Sequence, residues 1–229
     1  VERAMSAPII TSHWSRLADR HDVSAFAVLD KNYRDPARGY HDWSHIVDML
    51  TKLDDLTHLA TRADLIAAAI FWHDSVFITR ASDGGARPDA DNVHDSAALF
   101  AAHSRFPEAE TAAIRDMILA TAQHLSAHAK SEYYAGFAQD LDLFLDLDLS
   151  ALGAAWPVFQ NNYARIRSEY PWIDAADFDR QRQGMLGKFA ASCESLFRLE
   201  EPRRLWAATA RENCQRTHDE IAQRLGASA

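Results

Sequence analysis

Glycine and proline are scarce in this chain, with 8 and 7 among 229 residues. So few breakers argue against a many-turned β architecture and for long helices. Cysteine is scarcer still. Cys193 and Cys214 stand far apart and outside any Cys-x-x-Cys pattern, which argues against a disulfide scaffold and a thiolate zinc site. A reducing, cytoplasmic location is the expectation. Long apolar runs are missing too. The longest, residues 65–72, is much too short to span a bilayer, and Val1 to Ser6 lack the apolar core of a secretory signal. No membrane partner is expected. Basic residues are outnumbered: 24 Lys and Arg face 33 Asp and Glu, a net charge of −9. That balance argues against a nucleic-acid duplex as partner, because duplex binding needs a basic footprint. A small phosphorylated ligand stays open, since a metal ion and a few arginines can supply positive charge locally.

What is present reads as one all-α domain over residues 1–229, with its core at about 10–225. Apolar residues make up 48% and charged residues 25%, a globular balance at a length that sustains one hydrophobic core. Ile10, Trp14, Leu17, Val23, Phe26 and Leu29 recur at near-helical spacing and predict a helix over 9–30. The stretch Asp35-Pro36-Ala37-Arg38-Gly39 breaks it. A second helix is predicted from Asp42 or Trp43, with Ile46, Met49, Leu50 and Leu53 as its stripe. A third, over 62–76, is apolar nearly all round and so is expected to be buried. Residues 79–91 form the one clear long loop, of the kind that serves as a lid or binding loop. Further helices are predicted at 92–104, 108–124, 131–146, 152–169, 175–195 and 203–225.

Three segments carry chemistry. In Tyr40-His41-Asp42-Trp43-Ser44-His45-Ile46, His41 and His45 are four apart, so on a helix they share a face. His73-Asp74 closes the apolar helix, where an unpaired charge is costly and a bound cation removes the cost. Asp146 and Asp148 interrupt the apolar stretch of residues 145–150. Taken together, His45, His73, Asp74 and a later aspartate follow the order H…HD…D.

That order in a helical chain resembles the HD superfamily of metal-dependent phosphohydrolases. The blocks Arg38 to Ile46, Phe71 to Phe77, Asn92 to Ala97, Thr121 to His124, Phe144 to Gly153, Arg167 to Tyr170 and Ala210 to Asn213 resemble those of a bacterial group described as predicted HD-type phosphohydrolases. The 40–45 segment is also similar to the YHNxxH element of cyclic-nucleotide phosphodiesterases. The resemblance implies an HD-domain helical bundle. It implies His45, His73, Asp74 and Asp148 as ligands of a divalent ion (Fe, Mn, Co, Ni, Zn or Mg), Asp148 being preferred to Asp146. It further implies His41 as the acid that protonates the leaving oxygen, with Asp74 or Asp148 also orienting the water. Two positions depart from the patterns: Asp42 stands in place of Asn, and Val93 stands where an acidic residue is expected, with His94 one place on.

The expected activity is metal-dependent hydrolysis of a phosphate ester, mono- or diester, nucleotides included, with water activated by the ion. Arg38 is a candidate to hold phosphate bidentately, against a plain surface arginine. His124 is a candidate for phosphate or a second metal, against a core histidine. Asn92 either ties the 79–91 loop to the site or caps the next helix. Arg167, Glu169, Arg211 and Asn213 read as structural, through buried Arg–Glu pairs. His13, His21, His58, His103, His128 and His218 follow no pattern and default to the surface. Two other functions stand beside the first. One is a non-catalytic metal- or nucleotide-binding domain, which the missing acid at Val93 favours. The other is a di-iron oxygenase of the myo-inositol oxygenase type, which needs more histidine ligands.

Overall fold

The computed structural model describes residues 8–124 and 137–227. The described residues form ten α-helices and no strand: α1 (Pro8–Leu17), α2 (Ala25–Tyr33), α3 (Trp43–Asp55), α4 (Ala63–Trp72), α5 (Asp89–His103), α6 (Glu108–Ala120), α7 (Ala138–Leu149), α8 (Trp156–Ser168), α9 (Ala175–Leu196) and α10 (Glu200–Ala227). They group into two compact units, one ending at Leu145 and the other beginning at Asp146. No helix among the described residues is long and apolar enough to cross a membrane.

In the first unit α4 is the central element. Leu65, Ile66, Ala68, Ala69, Ile70, Phe71 and Trp72 are all fully buried, with α1, α3, α5 and α6 packed around them. Burial on every side follows from a segment with no polar face. The helix is shorter than its apolar pattern suggests and stops at Trp72, so His73 and Asp74 lie just past its end.

The helix predicted over 9–30 is in fact two. α1 runs on into a 3-10 turn, Ala18–Arg20, and His21 is extended at φ −131°, ψ 161°. Asp22 Oδ1 accepts from both the Ser24 backbone N–H (2.8 Å) and its hydroxyl (2.7 Å). This is the local bonding by which Asp and Ser compete with a helix. Val23, expected on the apolar stripe, falls in the break and is 99% exposed.

The 79–91 loop carries its own hydrogen bonds. The Ala81 amide donates to Gly85 O (2.9 Å), Gly84 to Ala81 O (3.0 Å) and Arg87 to Thr79 O (3.1 Å). Gly84 takes φ +90°, the left-handed region that glycine occupies without strain. α5 then begins at Asp89, three residues earlier than predicted. Of the helix predicted at 131–146, residues 131–136 lie outside the described residues. α7 begins at Ala138 and runs on to Leu149, so both Asp146 and Asp148 are helical.

In the second unit α9 and α10 pack along each other. Cys193, Leu196 and Phe197 meet Ala207 and Ala210 at one end of the pair. Leu186, Ala190, Cys214 and Ile221 meet Phe159 of α8 at the other. Both cysteines are buried free thiols, and burial pushes Cys214 up to about 12. The 3-10 turn Ser150–Gly153 sits hard against α10: a Cβ on Gly153 would lie 2.6 Å from Trp206 Cβ and 2.8 Å from its carbonyl oxygen. Glycine is needed there for close approach. Asn213 Nδ2 holds the same turn, donating to Leu152 O and Ala154 O at 2.8 Å each.

Candidate metal centre

The centre is built at the C-terminal end of α4. A helix end leaves four carbonyls without helical partners, and here each has one. Ala69 O accepts from the His73 amide (2.9 Å) and Trp72 O from the Ser75 amide (3.1 Å). Phe71 O accepts from the Tyr33 hydroxyl (3.0 Å), and Ile70 O from His73 Nδ1 (2.9 Å). The last of these fixes a tautomer. A carbonyl only accepts, so His73 Nδ1 carries hydrogen, and in the neutral ring Nε2 is the nitrogen that carries the lone pair.

His73 Nε2 faces two other donor atoms. His45 Nε2 is 3.3 Å away and Asp74 Oδ2 is 3.0 Å away, with His45 Nε2 and Asp74 Oδ2 3.8 Å apart. Among the described residues these three form the one His, Cys, Asp and Glu group able to hold a metal ion. A triangle with those edges has a point about 2 Å from all three corners, which is the length of a metal–nitrogen or metal–oxygen bond. His45 and His73 are buried. The negative end of the α4 macrodipole adds to the attraction for a cation. Burial opposes ionisation of Asp74, but the imidazoles of His73, His41 and His45 outweigh it and hold the carboxyl well below the ordinary carboxylate range.

His45 comes from α3, and α3 starts where its sequence dictates. Asp42 is the N-cap, accepting from the Ser44 amide at 2.8 Å. Asp and Asn serve equally as N-caps, so the departure at this position keeps the local structure. Trp43 Nε1 donates to the buried carboxylate of Asp30 (3.0 Å) and ties the helix start to α2. His41 therefore lies in the turn before α3, not on the same helical face as His45. Their rings are 6.2 Å apart. His41 instead stacks on Phe77 at 3.9 Å and remains close enough to Asp74 to act on its charge.

The segment after the helix is pinned by side chains from outside it. Arg38 Nη1 donates to both His41 O (3.1 Å) and Asp74 O (2.7 Å), and Nη2 donates to Ser75 O (3.1 Å). Asn32 Nδ2 donates to the same Ser75 oxygen at 2.9 Å. Ser96 Oγ accepts from the Val76 amide (2.9 Å) and donates to its carbonyl (3.2 Å). Asn92 does likewise at Ile78, at 3.0 Å each way, and its Oδ1 also accepts from Arg87 (2.7 Å). Asn92 thus ties down both ends of the 79–91 loop, and α5, beginning at Asp89, does not use it as a cap. Arg38 is not a plain surface residue: its Nε is shut off from solvent.

The other sequence candidates lie elsewhere. His124 is half-buried after the 3-10 turn that follows α6 and falls outside the three-residue group. Val93 is buried and apolar, and His94, one place on, is exposed on α5. A single-residue shift turns a helical side chain by about 100°. Asp148 belongs to the second unit. Asp146, the alternative, is fully buried and accepts from the backbone amides of Arg198 (2.8 Å) and Leu199 (2.9 Å). The acid that caps that connection was therefore one of the two candidates for ligand.

Sequence reasoning missed several residues. His13 and His21 are buried, contrary to the surface default. Asp140, which carries no motif, accepts from the Thr61 (2.6 Å) and Arg62 (2.9 Å) amides ahead of α4. Arg167 donates to the carbonyls of Tyr170 and Ile173, and Arg211 pairs with Glu194 at the surface. Arg211–Glu194 is thus an Arg–Glu pair between C-terminal helices, but an exposed one. His128 lies outside the described residues. No protein-family model and no curated protein matches the chain.

Proposed function

We propose that the chain is a metal-dependent phosphohydrolase built on an HD-type helical bundle. The convergence of His45 Nε2, His73 Nε2 and Asp74 Oδ2 to within 3.0–3.8 Å of one another carries this reading. Two imidazoles and a carboxylate suit a borderline or hard divalent ion such as Fe, Mn, Co, Ni, Zn or Mg. The resemblance adds Asp148 as the fourth ligand in this proposal; Asp146 accepts from two backbone amides. Bound there, the ion supplies Lewis acidity toward a phosphoryl oxygen and lowers the pKa of water.

The chain's own residues do the rest. His73 is held in the binding tautomer by Ile70 O. Asp74 orients the attacking water. His41, fixed face to face on Phe77, gives its proton to the departing oxygen as the phosphorus–oxygen bond breaks; an imidazole titrates in the right range for that task. The substrate class is a small phosphate ester, nucleotides included.

A second reading, ligand binding without turnover, is favoured by one observation: Val93 is a buried apolar residue where an acid is expected. Elemental mass spectrometry separates the outcomes. About one divalent ion per chain, lost in His73→Ala and in Asp148→Ala, supports the centre and justifies screening mono- and diester phosphates with that metal. Full loading with tight nucleotide binding and no hydrolysis supports the second reading. No ion after supplementation overturns the metal centre and leaves a helical binding domain.

A further inference from the structure

We propose that Arg38 is a positioning residue that holds the backbone of the proton donor and of the metal ligand in one clamp; this rests on the metal centre proposed above. The observation is specific to one guanidinium. Its Nη1 bridges His41 O and Asp74 O, and its Nη2 takes Ser75 O. The planar group lies over the Tyr33 ring, 5.2 Å from its centroid, and 5.9 Å from that of Phe77. Phe77 in turn carries the stacked His41 ring. Three carbonyls from two separate segments are thus fixed by one rigid fork.

The guanidinium is engaged chiefly with backbone. Both protons of Nη1 and one of Nη2 go to carbonyls, and Nε is closed to solvent. Two of the three carbonyls, His41 O and Asp74 O, meet this donor at one nitrogen, while Ser75 O also accepts from Asn32 Nδ2. Residues 73–78 lie beyond the helix, where no ladder supplies partners, and an unpaired buried carbonyl is costly. A lysine ammonium offers the charge on a flexible stem and lacks the planar fork that spans Asp74 O and Ser75 O together. Loosening that turn moves the Asp74 carboxylate relative to His73 and His45, and it frees the His41 backbone at the same time. Outer partners of metal ligands change metal affinity by roughly ten- to a hundredfold when lost.

The test uses the full chain stripped of metal and titrated with Co²⁺ alone, read by visible absorption. Wild type, Arg38→Gln and Arg38→Lys are compared, with thermal unfolding of each metal-free chain alongside. The expected result is a cooperative melt in all three, with Co²⁺ affinity at least about tenfold weaker and an altered band in both variants. Wild-type affinity and spectrum in Arg38→Lys would show that charge alone suffices and overturn the clamp; the same result in Arg38→Gln would overturn any role at the centre. A variant that is unfolded and is not restored by saturating Co²⁺ also overturns the proposal, because Arg38 is then needed for folding first. Failure of the wild type itself to bind Co²⁺ is a separate outcome. It removes the metal centre and the clamp's purpose together.

Discussion

A histidine with both ring nitrogens engaged has its protonation state set by its partners, and His21 is such a residue. Nδ1 donates to Leu17 O (2.9 Å), and Nε2 accepts from Trp72 Nε1 (3.1 Å). Trp14 and Trp72 stack on its ring, and Phe100 and Phe106 meet it edge-on. Burial in this cage pushes its pKa below the ordinary 6.5, against weaker opposing effects of the Leu17 carbonyl and Asp22. Burial lowers His13 in the same direction, against Asp54. A depressed folded pKa means that the unfolded chain binds more protons between the ordinary value and the folded one. Stability is therefore present above about 6.5 and is lost as pH falls through that window. Thermal midpoints should drop from about pH 7.5 to about 5.5, with a shallower slope in His21→Gln. Equal slopes would show that His21 is not the group responsible. At the centre, His73→Ala and Asp74→Ala should abolish metal and turnover together, whereas His41→Ala should keep the metal and lose most turnover. Normal turnover in His41→Ala would remove its assignment as proton donor.

At the scale of elements, two buried carboxylates act as tertiary caps. Asp140 from α7 satisfies two amides ahead of α4, the helix that ends at the centre. Asp146 satisfies two amides ahead of α10. Removing either carboxylate leaves two donors without their partner, at about 1–3 kcal/mol each. Asp140→Ala and Asp146→Ala should each lower the urea midpoint, and Asp146→Ala should retain full metal occupancy where Asp148→Ala loses it. Metal loss in a folded Asp146→Ala would reverse the choice between the two aspartates. The turn before α8 gives a third case. Gly153→Ala places a methyl against Trp206 and should destabilise by about 1–3 kcal/mol, measurable in the same urea titration. A neutral result would mean that α10 shifts away at no cost.

For the whole molecule, a ligand that binds only the folded chain stabilises it. Metal at about a hundredfold over its dissociation constant is worth about 2.7 kcal/mol. Chelation should therefore lower the thermal midpoint of the wild type and leave that of His73→Ala unchanged.

The all-helical class was legible from the sequence because it rests on local quantities: few breakers, apolar periodicity and an all-apolar α4. The grouping of His45, His73 and Asp74 could be suspected from their order, since a histidine and a charge at the end of a buried helix need a partner. The break at His21–Ser24 was hidden, because six apolar residues at helical spacing masked a local Asp22–Ser24 bond. The work of Arg38, Asn92 and Ser96 was hidden for a different reason. Their partners are main-chain carbonyls and amides, and every residue carries those, so no side-chain pattern identifies them. Sequence alone thus determined the helical class and which residue types can bind a cation. Only the tertiary structure decided which carboxylates serve backbone amides, which histidines are buried, and that one guanidinium joins His41 to Asp74. Those pairings span 36 residues or more for Arg38–Asp74, Asp140–Arg62 and Asp146–Arg198, and only the folded chain brings such partners within hydrogen-bond distance.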